Sequence, residues 1–158
     1  MLERSRYASD NCPAARTLAV VGERWTLLIL REAFYGQRRF EDIQRTLGVA
    51  RNLLATRLAT LVEHGLLERH PYREAGSRER FEYRLTERGI ELFPILLALM
   101  EWGDRHLGDE DGPPVIVEHR DCGAEIQLDI TCEAGHTGLT ARDTIPRPGP
   151  GARLADPA

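Results

Sequence analysis

Two short amphipathic segments meeting at a single glycine constrain this chain more than any other feature. Phe40, Ile43 and Leu47 fall at i, i+3 and i+7, which predicts a short helix with one buried stripe. Gly48 supplies a turn, and Leu54, Leu58, Leu61 and Val62 then form one face of a longer helix over residues 51–64. Arg51, Asn52, Ala55, Thr56, Ala59 and Glu63 fall largely outside that face. Gly65 stops the second helix. Leu66 and Leu67, then Phe81, Tyr83 and Leu85, read as two strands of a hairpin around a charged loop at residues 73–80. Helix, turn, helix, strand, charged loop, strand is the order of a unit that lays one helix in a DNA groove and a loop beside it.

The flanks extend this into a mainly α chain with a small β-wing. Pro13 suits the first turn of a helix. Leu18, Val21, Trp25, Leu28 and Ile29 repeat at three- and four-residue steps, and Gly22 separates a first helix from a second over residues 23–35. Thr86 is placed to cap a further helix. Residues 90–107 are densely apolar on two sides, with Pro94 in the first turns, where a break or kink is tolerated. One side would cover the core. The other needs a partner, and the simplest is the same helix of a second chain.

The remaining boundaries follow from composition. Residues 1–11 are expected to be a flexible N-terminus and residues 12–107 one folded domain. Residues 108–114 (GDEDGPP) are a linker. Val115, Ile116 and Val117, with residues 126–130, are short strand candidates, giving a small β-ribbon appendage over residues 115–145. Residues 146–158 hold four prolines and two glycines and are expected to be a disordered tail.

The net charge of −4 argues against a nucleic-acid partner until its distribution is considered. Residues 39–89 carry ten arginines against eight acids, a balance of +2, whereas residues 101–133 carry ten acids against two arginines, a balance of −8. The negative charge lies mainly outside the helix-turn-helix stretch. Besides histidine every cation is arginine, which suits bidentate contact with phosphate or guanine; biased codon usage would produce the same pattern. The longest apolar runs are too short to cross a bilayer, so no membrane partner is expected. The chain opens with no secretion pattern. Three widely spaced cysteines form no disulfide framework. A cytoplasmic address is the expectation.

Cys12-Pro13, the run Val21-Gly22-Glu23-Arg24-Trp25-Thr26-Leu27-Leu28-Ile29-Leu30-Arg31, Gly36, Arg39-Phe40, Leu47-Gly48-Val49-Ala50, Leu58, Leu61, Gly65-Leu66-Leu67 and Tyr83-Arg84-Leu85-Thr86-Glu87-Arg88-Gly89 together resemble the HxlR family. These are bacterial winged helix-turn-helix transcription regulators related in architecture to the MarR group. The resemblance covers residues 11–107. It implies a homodimer on a palindromic operator in double-stranded DNA, most commonly repressing a neighbouring gene, with a small-molecule or redox effector. Many relatives carry a Pro pair in the wing before the basic residue; here the wing has Ala75-Gly76-Ser77-Arg78.

The candidate sites follow. Arg51 can bridge guanine O6 and N7, Asn52 can pair with adenine, and Thr56 and Arg57 lie one turn further along; Arg57 could instead anchor a phosphate. The wing arginines Arg73, Arg78 and Arg80 are expected on backbone or in the minor groove, against the plain reading of a charged, solubilising hairpin tip. Arg38 and Arg39 precede the helix that crosses the phosphate backbone, where one could pair with Glu41 or Asp42 instead. Trp25 sits at core spacing. Leu18, Leu92, Leu96, Leu99 and Trp102 are expected at a dimer seam.

The resemblance makes Cys12 a candidate redox sensor, since a helix N-terminus lowers a thiol pKa; a small residue packed in the dimer seam is the other reading. His119-x2-Cys122-x9-Cys132-x3-His136 has the look of a zinc ribbon, and some relatives carry a Cys-Gly, Cys-x2-Cys-Gly tail in which the last Cys corresponds to Gly135 here. Zinc held with His136 as the replacement ligand, and a metal-free ribbon, both remain open; no cofactor is required by the fold. No Cys-x-x-Cys, phosphate loop, nucleophile elbow or His-Glu-x-x-His is present, so no enzyme is expected. Two functional alternatives stand beside the repressor: an activator of an adjacent gene, and a dimeric interaction module that does not bind DNA.

Overall fold

The computed structural model describes residues 6–8, 10–76 and 78–155. The chain divides into two compact units, residues 14–99 and residues 1–13 with 100–158. The elements are α1 (Pro13–Val21), α2 (Arg24–Phe34), α3 (Phe40–Leu47), α4 (Arg51–Glu63), β1 (Leu67–Tyr72), β2 (Arg80–Leu85), α5 (Glu87–Ile90) and α6 (Phe93–Leu107). The first unit is a winged helix-turn-helix.

Its core is one aliphatic cluster. Val21, Ile29, Leu30, Ile43, Val49, Leu54, Leu58, Leu61, Leu66, Leu67 and Leu96 are buried together, with Trp25 and Phe40 packed half-buried against them. The stripes read from α3 and α4 are the ones that close over this core. Between those helices Gly48 takes a left-handed φ of 61°, which a side chain would resist, and its N–H donates to Gln44 O at 2.9 Å. Val49 is then turned inward and buried, so the turn itself is anchored.

A buried carboxylate sets the angle between α2 and α3. Glu32 is 2% exposed. It accepts from Arg31 Nη2 at 2.6 Å and from Gln37 Nε2 at 2.9 Å, and Gln37 Nε2 in turn reaches Thr46 Oγ1 at 3.0 Å. The carboxylate is the buried partner, and its donors Arg31 and Gln37 are only part-buried.

The wing is antiparallel, with Leu67 opposite Leu85 and Tyr72 opposite Arg80. Residue 39 adds a single bridge to Glu82, and Tyr83 N donates to Arg38 O at 2.7 Å. The backbone before α3 is thereby fixed to the wing. At the other end of the hairpin, Thr86 Oγ1 donates to Gly65 O at 2.6 Å and accepts from Gly89 N at 3.0 Å. Gly89 passes so close to Leu66 that a Cβ would lie 2.1 Å from its carbonyl oxygen.

Several sequence expectations change. The helix expected over residues 90–107 is two: α5 ends at Ile90, and α6 begins at Phe93 with Pro94 in its first turn, where the missing N–H costs nothing. Leu96 is buried at 7% exposure, so it serves the core of the protomer, and Leu92 packs half-buried against that core. Leu18, Leu99 and Trp102 are exposed, and Ile95, absent from that set, is exposed with them.

In the second unit, residues 115–145 form no regular strand among the described residues. They hold a Glu118–Glu125 bridge and two tight turns, closed by Gly123 N to His119 O at 2.8 Å and Gly135 N to Cys132 O at 2.9 Å. A ribbon needs an apolar face to cover, and here Ile116, Leu128 and Ile130 are all exposed. The tail is not free either. Residues 6–8 pair with residues 153–155: Ala8 N donates to Arg153 O and Ala155 N to Arg6 O, both at 2.9 Å. Asn11 Nδ2 reaches Gly151 O at 2.8 Å, and Arg153 pairs with Asp10 at 2.9 Å. These backbone groups find partners across the whole length of the chain, which composition does not register. The rest of the flexible-N-terminus and disordered-tail expectations, residues 1–5, 9 and 156–158, lies outside the described residues.

Gly89→Ala should destabilise the protein by ~3 kcal/mol or more in urea unfolding, because backbone, not a movable side chain, occupies the space. A loss below ~1 kcal/mol would show that the α4 exit and the wing can move apart.

Candidate nucleic-acid interface

The exposed face of α4 is the centre of the site. At 3.6 residues per turn, Leu54, Leu58 and Leu61 point into the core, and Arg51, Asn52, Ala55, Thr56 and Ala59 stand on the opposite side, all exposed. Ala55 and Ala59 were not among the expected contacts. Their small side chains let the helix approach a groove floor and offer methyl contacts. Thr56 Oγ1 donates back to Asn52 O at 3.0 Å, leaving its lone pairs outward.

The first turn of α4 is built for an anion. Its cap residue is Ala50, no side chain caps the free N–H groups, and no acid occupies the first turn. Arg51 begins the helix, with its guanidinium carbon 4.8 Å from the Phe40 ring centroid. The stacking aims Arg51 along the helix end rather than away into solvent. Beside it lies a polar cleft of about 410 Å³, lined among others by Glu41, Arg51, Arg78 and Arg80.

The other arginines are held by specific partners. Arg39 stacks on Tyr72 at 4.7 Å and pairs with Glu74 at 2.7 Å. Arg80 pairs with Glu41 at 3.6 Å. Arg84 donates to Glu82 at 2.6 Å. That hydrogen bond, reinforced by the charges of Arg84, Arg38 and His70, holds the Glu82 carboxyl below the ordinary carboxylate range. Arg38, Arg73 and Arg78 are exposed. Ser77, next to Arg78, lies outside the described residues.

Arg57 is placed differently from the rest. Its side chain is 24% exposed and pairs with Glu23 at 3.1 Å, and its Nε is buried without a hydrogen-bond partner. It leans along α4 towards the start of α2 rather than standing on the outward face. Arg57 thus ties the groove-facing helix to the body.

Cys12 is half-buried and lines a cleft of about 370 Å³ with Tyr7, Asn11, Arg147 and Arg153. His119 Nδ1 lies 3.2 Å from Cys122 Sγ, and Cys132 Sγ lies 3.2 Å from His136 Nδ1. Each tight turn therefore presents one His–Cys pair. A structural zinc takes four ligands, and among the described residues no three His, Cys, Asp or Glu side chains are grouped to hold a metal. The four residues stand as two His–Cys pairs. No helix among the described residues is long and apolar enough to cross a membrane.

Fold and site define a winged helix-turn-helix protein of the kind that regulates transcription. The chain belongs to the HxlR-like helix-turn-helix family, which it matches over residues 20–111. It is 49% identical over 142 residues to the HTH-type transcriptional regulator Rv3095 of Mycobacterium tuberculosis, a match covering 89% of each chain. Among solved structures it is similar to PA1607, a candidate transcription factor, with a TM-score of 0.76 and 41% identity over 88% of this chain and 96% of that one. It is also similar to the reduced form of the redox regulator HypR, with a TM-score of 0.53 and 31% identity over 60% of this chain and 95% of that one. The family is one of transcriptional regulators, not enzymes.

Proposed function

We propose that this protein is a homodimeric repressor that reads a palindromic operator in double-stranded DNA. The observation that carries this reading is the outward face of α4: Arg51, Asn52, Ala55, Thr56 and Ala59 exposed together on a helix with an uncapped first turn. Arg51 and Asn52 supply the donors that discriminate guanine and adenine, and Thr56 and the alanines add close contacts along the groove. Arg38, Arg39, Arg73, Arg78 and Arg80 neutralise backbone phosphates on either side. Repression fits a protein that covers promoter DNA; an activator would bind in the same way and differ only in operator position.

Promoter fragments flanking the protein's own gene provide the test, by fluorescence anisotropy over a range of salt. Sequence-selective binding with a steep salt dependence is expected. Arg51→Ala should weaken it by ~1–3 kcal/mol and relax preference at one base pair. Absence of any selective binding would favour a dimeric interaction module instead.

A second copy is the partner proposed for α6. Ile95, Leu99 and Trp102 fall at i, i+4 and i+7 and are 44%, 52% and 57% exposed. Leu18 of α1 is 61% exposed. A continuous apolar stripe of this kind is costly in water, and a two-fold partner that covers it is what a palindromic operator calls for. Leu99→Glu should yield a monomer in analytical ultracentrifugation and lose operator affinity. A dimer that survives this change would move the seam elsewhere.

Control by oxidation is proposed to act through Cys12, near the start of α1. The likeness to HypR, solved in reduced and oxidised forms, supports it. Peroxide should release wild-type protein from its operator and leave Cys12→Ser bound. Equal responses of the two would remove Cys12 from the reading.

A further inference from the structure

Two of the arginines proposed to grip DNA are not presented bare. Arg39 faces Glu74 at 2.7 Å, and Arg80 faces Glu41 at 3.6 Å. Both pairs bring together separate elements: Arg39 caps α3 and Glu74 belongs to the wing loop, and Glu41 is in the first turn of α3 and Arg80 opens β2. In both, all four side chains are about half exposed, from 44% to 51%. Exposed pairs of this kind add little stability, so folding alone gives weak reason for two carboxylates at these places. Their geometry matters more. A carboxylate and a phosphate offer a guanidinium the same pair of anionic oxygens. Glu41 also lines the polar cleft at the N-terminus of α4, with Arg51, Arg78 and Arg80.

Resting on the DNA-binding reading, we propose that Glu41 and Glu74 are internal phosphate mimics that occupy the backbone-binding arginines until DNA displaces them. Each arginine is held in place in the free protein. Arg39 is fixed further by Tyr72 at 4.7 Å and by the backbone bridge to Glu82. Binding DNA then exchanges one anionic partner for another. The exchange has two consequences. Non-specific affinity is lowered, because the phosphate contacts of Arg39 and Arg80 must each evict a carboxylate. The freed carboxylate also stays beside the DNA and takes up a cation, which cancels part of the counterion release that normally drives association. Only a site that adds base contacts through α4 then binds well, so the two glutamates act as specificity determinants without touching a base.

The experiment compares Glu74→Gln, Glu41→Gln and the control Glu79→Gln. Glu79 loses the same charge and lines the same cleft as Glu41, yet lies outside both pairs, so it separates pairing from mere proximity of a carboxylate. Each protein is titrated with operator DNA and with heparin, a polyanion that requires no base reading, at several salt concentrations. Circular dichroism melting checks that each variant folds. Glu74→Gln and Glu41→Gln are expected to bind both polyanions on the order of fivefold more tightly than Glu79→Gln does at low salt. Each should also steepen the slope of log K against log salt by about 0.9, which Glu79→Gln should not. The ratio of operator to heparin affinity should fall. If the two variants match Glu79→Gln in affinity and slope, the effect is general charge and the proposal is overturned. Heparin separates this from the functional reading: wild-type protein without operator preference sinks the repressor, and the glutamate comparison on heparin still decides the mimicry.

Discussion

Everything the outward face of α4 can do depends on the contact between Gly89 and Leu66. The chain leaves α4, makes the wing, and returns within hydrogen-bonding distance of the place it left. Thr86 closes that loop by bonding Gly65 O with its hydroxyl and capping Gly89 N with the same oxygen, and the lack of a Cβ on Gly89 permits the approach. One end of the hairpin is thus fixed to the exit of α4. The Arg38–Tyr83 hydrogen bond fixes the strand next to it to the start of α3. The wing and the groove-facing helix are thus tied together through Thr86, Gly89 and Tyr83, with the aliphatic core behind them. A protein that must present arginines from three elements at set spacing needs these ties before it needs any single arginine.

Given the frame, charge is managed by pairing rather than by excess. The chain is net negative, and its arginines are held one at a time: Arg51 by Phe40, Arg39 by Tyr72 and Glu74, Arg57 by Glu23. Aromatic faces and carboxylates restrict long side chains that would otherwise lose much rotamer entropy on binding. Such an arrangement trades affinity for order. It suits a regulator that must leave its site as readily as it finds it.

Much of this was legible in the sequence because the governing signals are local. Gly48, Gly65 and Thr86 punctuate the motif, and the Leu54, Leu58, Leu61 stripe has one period and one inside. What was not legible depends on distant partners. The position of Arg57 is decided by Glu23 on another element, and the pairing of residues 6–8 with 153–155 spans the chain. Along residues 90–107 both sides are apolar, so periodicity cannot say which side is inside. Leu96 went to the core and Ile95 to the surface for reasons of tertiary packing alone. The appendage fails as a ribbon because its alternation has no face to cover, a fact visible only once its exposure is known.

The appendage also bears on where control enters. HypR aligns over 60% of this chain and PA1607 over 88%. PA1607 thus matches more of the chain than HypR does, and the family match itself spans residues 20–111. No described residue after Leu97 is buried, so residues beyond α6 contribute hydrogen bonds and charge but little hydrophobic stabilisation. A segment with so little apolar burial opens at low free-energy cost. It holds the tail against residues 6–12, next to Cys12, through backbone bonds and one Asp10–Arg153 pair. The output of this protein is thus set in a stiff aliphatic unit, and its most easily remodelled contacts gather around the thiol at the start of α1. Cys12 adjoins the start of α1, and α1 and α6 are the two helices whose exposed apolar residues are proposed to join the protomers. On the proposed dimer, a thiol-borne signal would act on the spacing between the two α4 helices rather than on their outward face.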